Sequence, residues 1–317
     1  HSALCAPISG GHCSPLLQEK PCGMLSSYLL FPKYDYLHPM RKLITLLMIT
    51  ALLAGCSESG IKDKRPVLMV SIDPYRYFID QISGGRFRAV SLVPRTSNPE
   101  SYEPTAQQML DLMNSRAYLS SGYLDFEKTR LKQITDENPH FLLFNLANGI
   151  KTLRDSDGNG VDPHVWLSAQ NAEIIAKNIC SALCRIDSAN SEEYKERTEK
   201  FTQHIDSIDR QIQSLTGNLV HRTFVIYHPA LTYFAKDYGL RQLPVCAGGK
   251  EASPAHIKTV ISQSRAEKAE ILFIQEQFPS TTIKQIARES GTEIVEINPL
   301  AYQWDEEMIT IAKSLAK

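Results

Sequence analysis

From Pro66 onward, short apolar runs alternate with stretches whose apolar residues recur at helical spacing. The runs at 67–72, 88–93, 117–120 and 141–146 read as strands, and the stretches at 74–82 and 104–113 read as helices, the first ended by Gly84-Gly85. The stretch 171–185 carries Ala172, Ile175, Ile179, Ala182 and Leu183 on one helical stripe. A longer stripe begins after Asn190, a suitable N-cap, and runs through Tyr194, Phe201, Ile205, Ile208, Ile212 and Leu215 to Gly217. A helix of that length would reach roughly 38 Å, the width of a small domain. It either joins two lobes rigidly or lies on the surface of one domain. After it the alternation resumes, with strands at 224–227, 271–274 and 293–297. Helices are expected at 229–238, from Ser253-Pro254, from Ser280 to 290, and from Asp305 to the end. Strands separated by helices imply an α/β fold with parallel or mostly parallel sheets.

The stretch before Pro66 follows different rules. Residues 1–39 are rich in Ser, Pro and Cys without a period and read as an upstream extension. Residues 40–55 open with Met40-Arg41-Lys42 and continue into an apolar core of about ten residues, the form of a secretory signal and well short of the ~20 that span a bilayer. Leu53-Ala54-Gly55-Cys56 then resembles the lipobox of bacterial lipoproteins, which makes Cys56 the expected lipidation site and 56–65 a tether. The expected location is therefore outside the cytoplasm, on a lipid anchor facing the periplasm or cell exterior. At 43% hydrophobic and 22% charged residues with a net charge of −1, the remainder is a globular protein without the basic patch that nucleic acid demands. Cys180 and Cys184, four apart on an expected helix, read as buried thiols in preference to a disulfide or metal site.

The chemistry concentrates where strands end. Glu100 follows the strand at 88–93, His228 follows 224–227, Gln275 and Glu276 follow 271–274, and Asn298 follows 293–297. His164 sits in Val161-Asp162-Pro163-His164-Val165-Trp166, outside any helical or strand period. In open α/β sheets ligands bind at the carboxyl ends of strands. Two imidazoles with one or two carboxylates make a sensible site for zinc or manganese. His140, His204, His221 and His256 are assigned to the surface or to local packing.

These stretches, in this order, resemble the substrate-binding proteins of bacterial zinc and manganese ABC importers. The resemblance rests on Pro99 to Pro104, Asp162 to Trp166, Tyr227 to Tyr238 and Gly249 to Pro254, and runs from about Val67 to the C-terminus. It implies two similar α/β lobes (66–189 and 218–317) joined by one long helix (190–217), with a metal site in the cleft between them. It also implies ligands at Glu100, His164 and His228, delivery to an ABC permease and its ATPase, and a monomer. Two departures stand out. The family's first histidine is Glu100 here, and its late aspartate is Asn298, a poor ligand that leaves the fourth position to Glu276 or water. Gln275, Tyr102 and Glu103 are expected to support the site through hydrogen bonds. The histidine-rich loop of zinc members is absent. Asp155-Ser156-Asp157-Gly158-Asn159-Gly160 stands in its place, opening like a calcium loop but with Trp166 where the bidentate glutamate belongs, so it reads as a polar turn. Zn²⁺ is favoured by the two imidazoles, and Mn²⁺ remains the alternative cargo. Two other readings fit the same residues: a metal-dependent hydrolase with Glu276 as base, and an adhesin or scaffold lipoprotein stabilised by metal.

Overall fold

The computed structural model describes residues 41–44, 63–156, 158, 160–246, 252–278 and 282–317. Residues 41–44 are helical, and Asp63–Lys317 forms a compact unit. The upstream extension, the rest of the expected signal segment, Cys56 and the tether up to Lys62 lie outside the described residues, as do 247–251 of the segment before Pro254. Among the described residues no helix is long and apolar enough to cross a membrane.

The first sheet is built from β1 (Val67–Val70), β2 (Arg88–Ser91), β3 (Ala117–Ser120) and β4 (Leu143–Asn145). Its strand order is β2-β1-β3-β4, with every neighbouring pair parallel. Its connections carry α1 (Asp73–Ser83) and α2 (Ala106–Met113), then a π-helical turn (Glu127–Leu131) that runs into α3 (Lys132–Glu137). Thr105 starts α2 with a capping box: its hydroxyl accepts from Gln108 N, and the Gln108 side chain accepts from Thr105 N. Beyond β4 come α4 (Ala169–Ile186) and the 26-residue α5 (Ser191–Thr216). The second sheet repeats the plan. β5 (Thr223–Ile226), β6 (Arg241–Pro244), β7 (Ile271–Gln275) and β8 (Glu293–Ile297) take the order β6-β5-β7-β8, again all parallel. They are linked by α6 (Thr232–Asp237), α7 (Pro254–Ala266) and α8 (Ile283–Ser290), and the chain ends in α9 (Trp304–Leu315).

The stripe read on α5 is the buried one: Tyr194, Phe201, Ile205, Ile208 and Ile212 face the core. It packs against α4, α1 and α9. The last helix therefore returns to the first half. Trp304 meets Phe78 edge-on at 5.3 Å, and Phe78 meets Phe201 at 5.1 Å. The Tyr77 hydroxyl donates to Asp305 at 2.6 Å, and that of Tyr302 to Asp80 at 2.7 Å. The strand period of two divides the second sheet: Phe224 and Ile226 join the core shared with the first half, while Val225 and Tyr227 join a separate cluster with Val260, Leu272 and Ile286.

Several elements differ from the sequence reading. β6 was not expected, because Arg-Gln-Leu-Pro has no apolar run and its proline suits only an edge strand, which is where it lies. Residues 127–137 were not expected to be helical, since Leu131 and Ile134 are the sole apolar positions in that span. The helix expected at 229–238 begins only at Thr232, because His228–Leu231 forms a turn. Ser280 lies outside the described residues, and α8 starts after Thr282. Cys180 and Cys184 are free but half-buried, not buried.

Candidate metal centre

Glu100 sits on the loop after β2, His164 on the loop after β4, and His228 two residues beyond β5. All three come from the carboxyl ends of strands. One donor atom from each falls within 4.8 Å of the others, and this is the group of that kind found among the described residues. Glu100 Oε1 lies 3.3 Å from His228 Nε2 and 3.7 Å from His164 Nε2. Two ligands of a tetrahedral zinc at 2.0–2.1 Å each stand about 3.3 Å apart, so the spacing is that of donors around one ion.

Each side chain is held differently. His164 is 3% exposed; Asp162 Oδ1 lies 2.8 Å from its Nδ1 and also accepts from its backbone N at 2.9 Å. This fixes the ring and turns Nε2 toward Glu100, the carboxylate–histidine arrangement that orients metal ligands. The backbone of His228 is held by Gln275, whose Nε2 donates to His228 O at 2.7 Å and whose Oε1 accepts from His228 N at 3.3 Å. The Phe278 ring stacks on the His228 ring at 4.1 Å and 11°. Both ring nitrogens of His228 are buried; Nδ1 has no hydrogen-bond partner, and Nε2 faces only Glu100 Oε1 at 3.3 Å without hydrogen-bond geometry, which is costly for a polar group unless something else binds it. Trp166 packs 5.3 Å from His164; its Nε1 donates to Pro299 O at 2.8 Å, and its carbonyl accepts from Trp304 Nε1 at 2.7 Å.

The charges are arranged to match. Burial disfavours the Glu100 carboxylate, but His228 beside it and the charge of His164 outweigh this and hold its pKa down at about 2. Burial also disfavours protonated His164, yet Asp162 and Glu100 lift its pKa above the ordinary histidine value. For His228 burial prevails over the contact with Glu100, and its pKa is lowered. Glu100 is thus ionised, and of the two imidazoles His164 holds its proton to the higher pH.

The remaining expected residues lie elsewhere. Glu276 is exposed and outside the donor group, whereas its neighbour Gln275 is buried. Gln275 is the last residue of β7, which is covered on both faces, and the exposed Glu276 begins the turn that follows. Asn298 Oδ1 accepts from Leu300 N at 3.0 Å and from Gln277 Nε2 at 3.2 Å, so it braces a turn. Glu103 is exposed, and the Tyr102 hydroxyl donates to Gln108, supporting the start of α2 rather than the donors. Arg154 and Val161 pair as an isolated antiparallel bridge, and between them Asp155 N donates to Gly160 O and Gly158 N to Asp155 O; Asp157 and Asn159 lie outside the described residues. The would-be twelfth calcium position, Trp166, is buried against Pro299.

A buried polar cluster behind the site went unread in the sequence. Glu127, on the π-helical turn, accepts from the Ser71 and Tyr118 hydroxyls and from the backbone N–H groups of Ser121 and Gly122. Burial pushes its carboxyl pKa up even against these four donors. The cluster ties the ends of β1 and β3 to the 121–125 loop that walls the cleft. Gly122 has φ +87°, and a Cβ there would come within 2.5 Å of the Asn145 side chain, so the loop needs glycine at this position.

Two parallel sheets of one topology, with a His₂Glu donor group of two buried imidazoles and a half-buried carboxylate gathered from the loops beyond their strands, define a metal-binding protein of two-lobed α/β build. A family model described as the periplasmic zinc-uptake complex component A matches residues 68–315, and the chain belongs to that family. It is 23% identical over 272 residues to the high-affinity zinc uptake system protein ZnuA of Bacillus subtilis, covering 78% of this chain and 85% of that protein. It is 26% identical over 274 residues to the manganese ABC transporter substrate-binding lipoprotein PsaA of Streptococcus anginosus, covering 80% and 88%. A crystal structure of ZnuA aligns with a TM-score of 0.75 at 30% identity, over 80% of this chain and 98% of that one. The manganese complex of the substrate-binding protein FpvC from Pseudomonas aeruginosa shares the fold, with a TM-score of 0.69 at 23% identity, over 80% and 97%.

Proposed function

We propose that this protein captures Zn²⁺ outside the cytoplasm and delivers it to an ABC permease with its ATPase, catalysing no reaction itself. The observation that carries this reading is the trio of half-buried Glu100 with buried His164 and His228, spaced for one ion, in which the one polar neighbour of the His228 ring is Glu100 itself. Two imidazoles and one carboxylate are a zinc donor set, whereas manganese prefers more oxygen and a larger coordination number. The relatives named above are uptake and substrate-binding proteins, which gives the hydrolase alternative no support. The order of signal-like segment, Cys56 and tether supports a lipid anchor, and the reading takes the anchored protein to act as a monomer. The lobes of this reading are 66–189 and 218–317, with 190–217 between them.

Competitive titration of the full chain with Zn²⁺ and Mn²⁺ against a calibrated chelator tests it. One zinc per chain, bound more tightly than manganese and lost in His164→Ala, is the expected result. Tighter manganese binding would change the cargo, and no stoichiometric binding of either metal would overturn the capture reading.

A further inference from the structure

The trio supplies three donors, whereas zinc takes four. Where a fourth can come from is decided by the two flanks of the site. One flank is a crevice of about 10 Å³ walled by Pro99, Trp166, Ala230, Phe278, Pro299 and Leu300. Such a space is at the lower limit for a single water. The two imidazoles line it as well, and beside them its polar side chains are Gln275 and Gln277, whose amide nitrogens are both engaged. Gln275 spends both ends of its amide on the His228 backbone, and the Gln277 amide nitrogen donates to Arg95 O and Asn298 Oδ1. The other flank opens on a cavity of about 300 Å³ that Glu100 and His228 themselves line. At roughly 30 Å³ per water, this is room for a ligand and not merely for one solvent molecule.

The walls of the cavity carry both signs of charge. Lys128, paired with Asp125 at 3.0 Å, stands on one side, and Asp155 and Ser156 belong to the turn that also borders it. A simple anion would meet Asp125, Asp155, Asp162 and Glu100 together, whereas a zwitterion finds a partner for each of its ends.

We infer that an ion held by Glu100, His164 and His228 keeps one coordination position facing this cavity, filled by a zwitterionic nitrogen- or oxygen-donor ligand of amino-acid size. The cargo is then a metal–ligand pair in place of a bare ion. The inference rests on the reading of the trio as the capture site. Within it, the closed Phe278 flank and the open Lys128–Asp155 flank decide the side from which coordination is completed.

The probe is L-histidine, added to the full chain loaded with Zn²⁺ and followed by native mass spectrometry, with a parallel sample loaded with Co²⁺ for visible spectroscopy. The expected result is a complex of one protein, one zinc and one histidine, in which histidine is retained only when zinc is. The d–d bands of the cobalt form should shift saturably on addition of histidine. Ser156→Trp, a substitution at an exposed turn position that crowds the cavity, should bind zinc as before but hold histidine at least tenfold more weakly. If histidine only strips the metal and the cobalt bands fade without shifting, coordination is complete from the chain and the inference is overturned. If no zinc is bound before histidine is added, the capture reading itself fails, and the two failures are told apart at that first step.

Discussion

The two sheets share one strand order but hold their ligands by different means. In the first half, Glu100 and His164 ride on long loops, and His164 is fixed from within its own loop by Asp162, two residues away. In the second half, His228 follows β5 almost at once, and its backbone is fixed from the neighbouring strand by Gln275, 47 residues on. A loop that carries its own brace places a ligand with little help from the sheet. A short turn without one borrows the brace from β7, so its ligand is only as well placed as the pairing of β5 with β7. Equivalent positions in a repeated topology thus do not have equivalent support.

That contrast can be broken in graded steps. His164→Ala removes a donor outright and should lower zinc affinity roughly a thousandfold, about 4 kcal/mol, in chelator competition. Asp162→Asn keeps the histidine but removes the charge that sets its ring, and a 10–100-fold loss is expected, the usual cost of such a partner. An unchanged affinity would mean that the loop backbone alone positions His164. Gln275→Leu should cost roughly tenfold, at the lower end of that range, because Phe278 still packs on the His228 ring. It should also destabilise the metal-free protein by about 1–3 kcal/mol in denaturant melts, since the buried N–H and C=O of His228 lose their partners. A loss larger than that of Asp162→Asn would reverse the ranking of the two halves.

The smallest effect distinguishes the two imidazoles by pH. His164 is lifted above the ordinary histidine pKa and His228 is lowered, so a proton leaves His164 when zinc binds. Zinc affinity should therefore begin to fall as pH drops through the raised pKa of His164, at a higher pH than an ordinary histidine would set. Glu100, held at about 2, adds no loss until far more acid conditions. Calorimetry in buffers of different ionisation enthalpy should count up to one proton released per zinc just below that raised pKa. Release that first appears only well below pH 6 would assign the proton to His228 instead.

The α/β alternation, the long helix and the three side chains that gather in the candidate site were legible because each leaves a local signature. The stripe from Tyr194 to Ile212 is long enough to declare its period, and His164 and His228 stand beside prolines where neither helix nor strand explains them. Glu276, the expected fourth ligand, stands outside the donor group. Its carboxylate drew attention, yet β7 ends at Gln275, buried like most of the strand, and the exposed Glu276 is the first residue of the turn beyond it. β6 and the Glu127 cluster were not legible for another reason. An edge strand of Arg-Gln-Leu-Pro has no apolar pattern to read, and a glutamate becomes a buried acceptor only after β1, β3 and a π-helical turn have met around it.

The return of α9 to the first half bears on how the chain acquires its shape. Tyr77 and Asp305 bond across 228 residues of sequence, and Trp304 covers Phe78 beside Phe201. Contacts so distant along the chain form late, because the loop they close is long and its entropy must be spent before they reward it. A chain emerging from its N-terminus therefore keeps the aromatic faces of α1 and α5 uncapped until its final dozen residues arrive. The first half, although its sheet is complete in sequence by Asn145, gains its full aromatic cover only from the other end of the polypeptide.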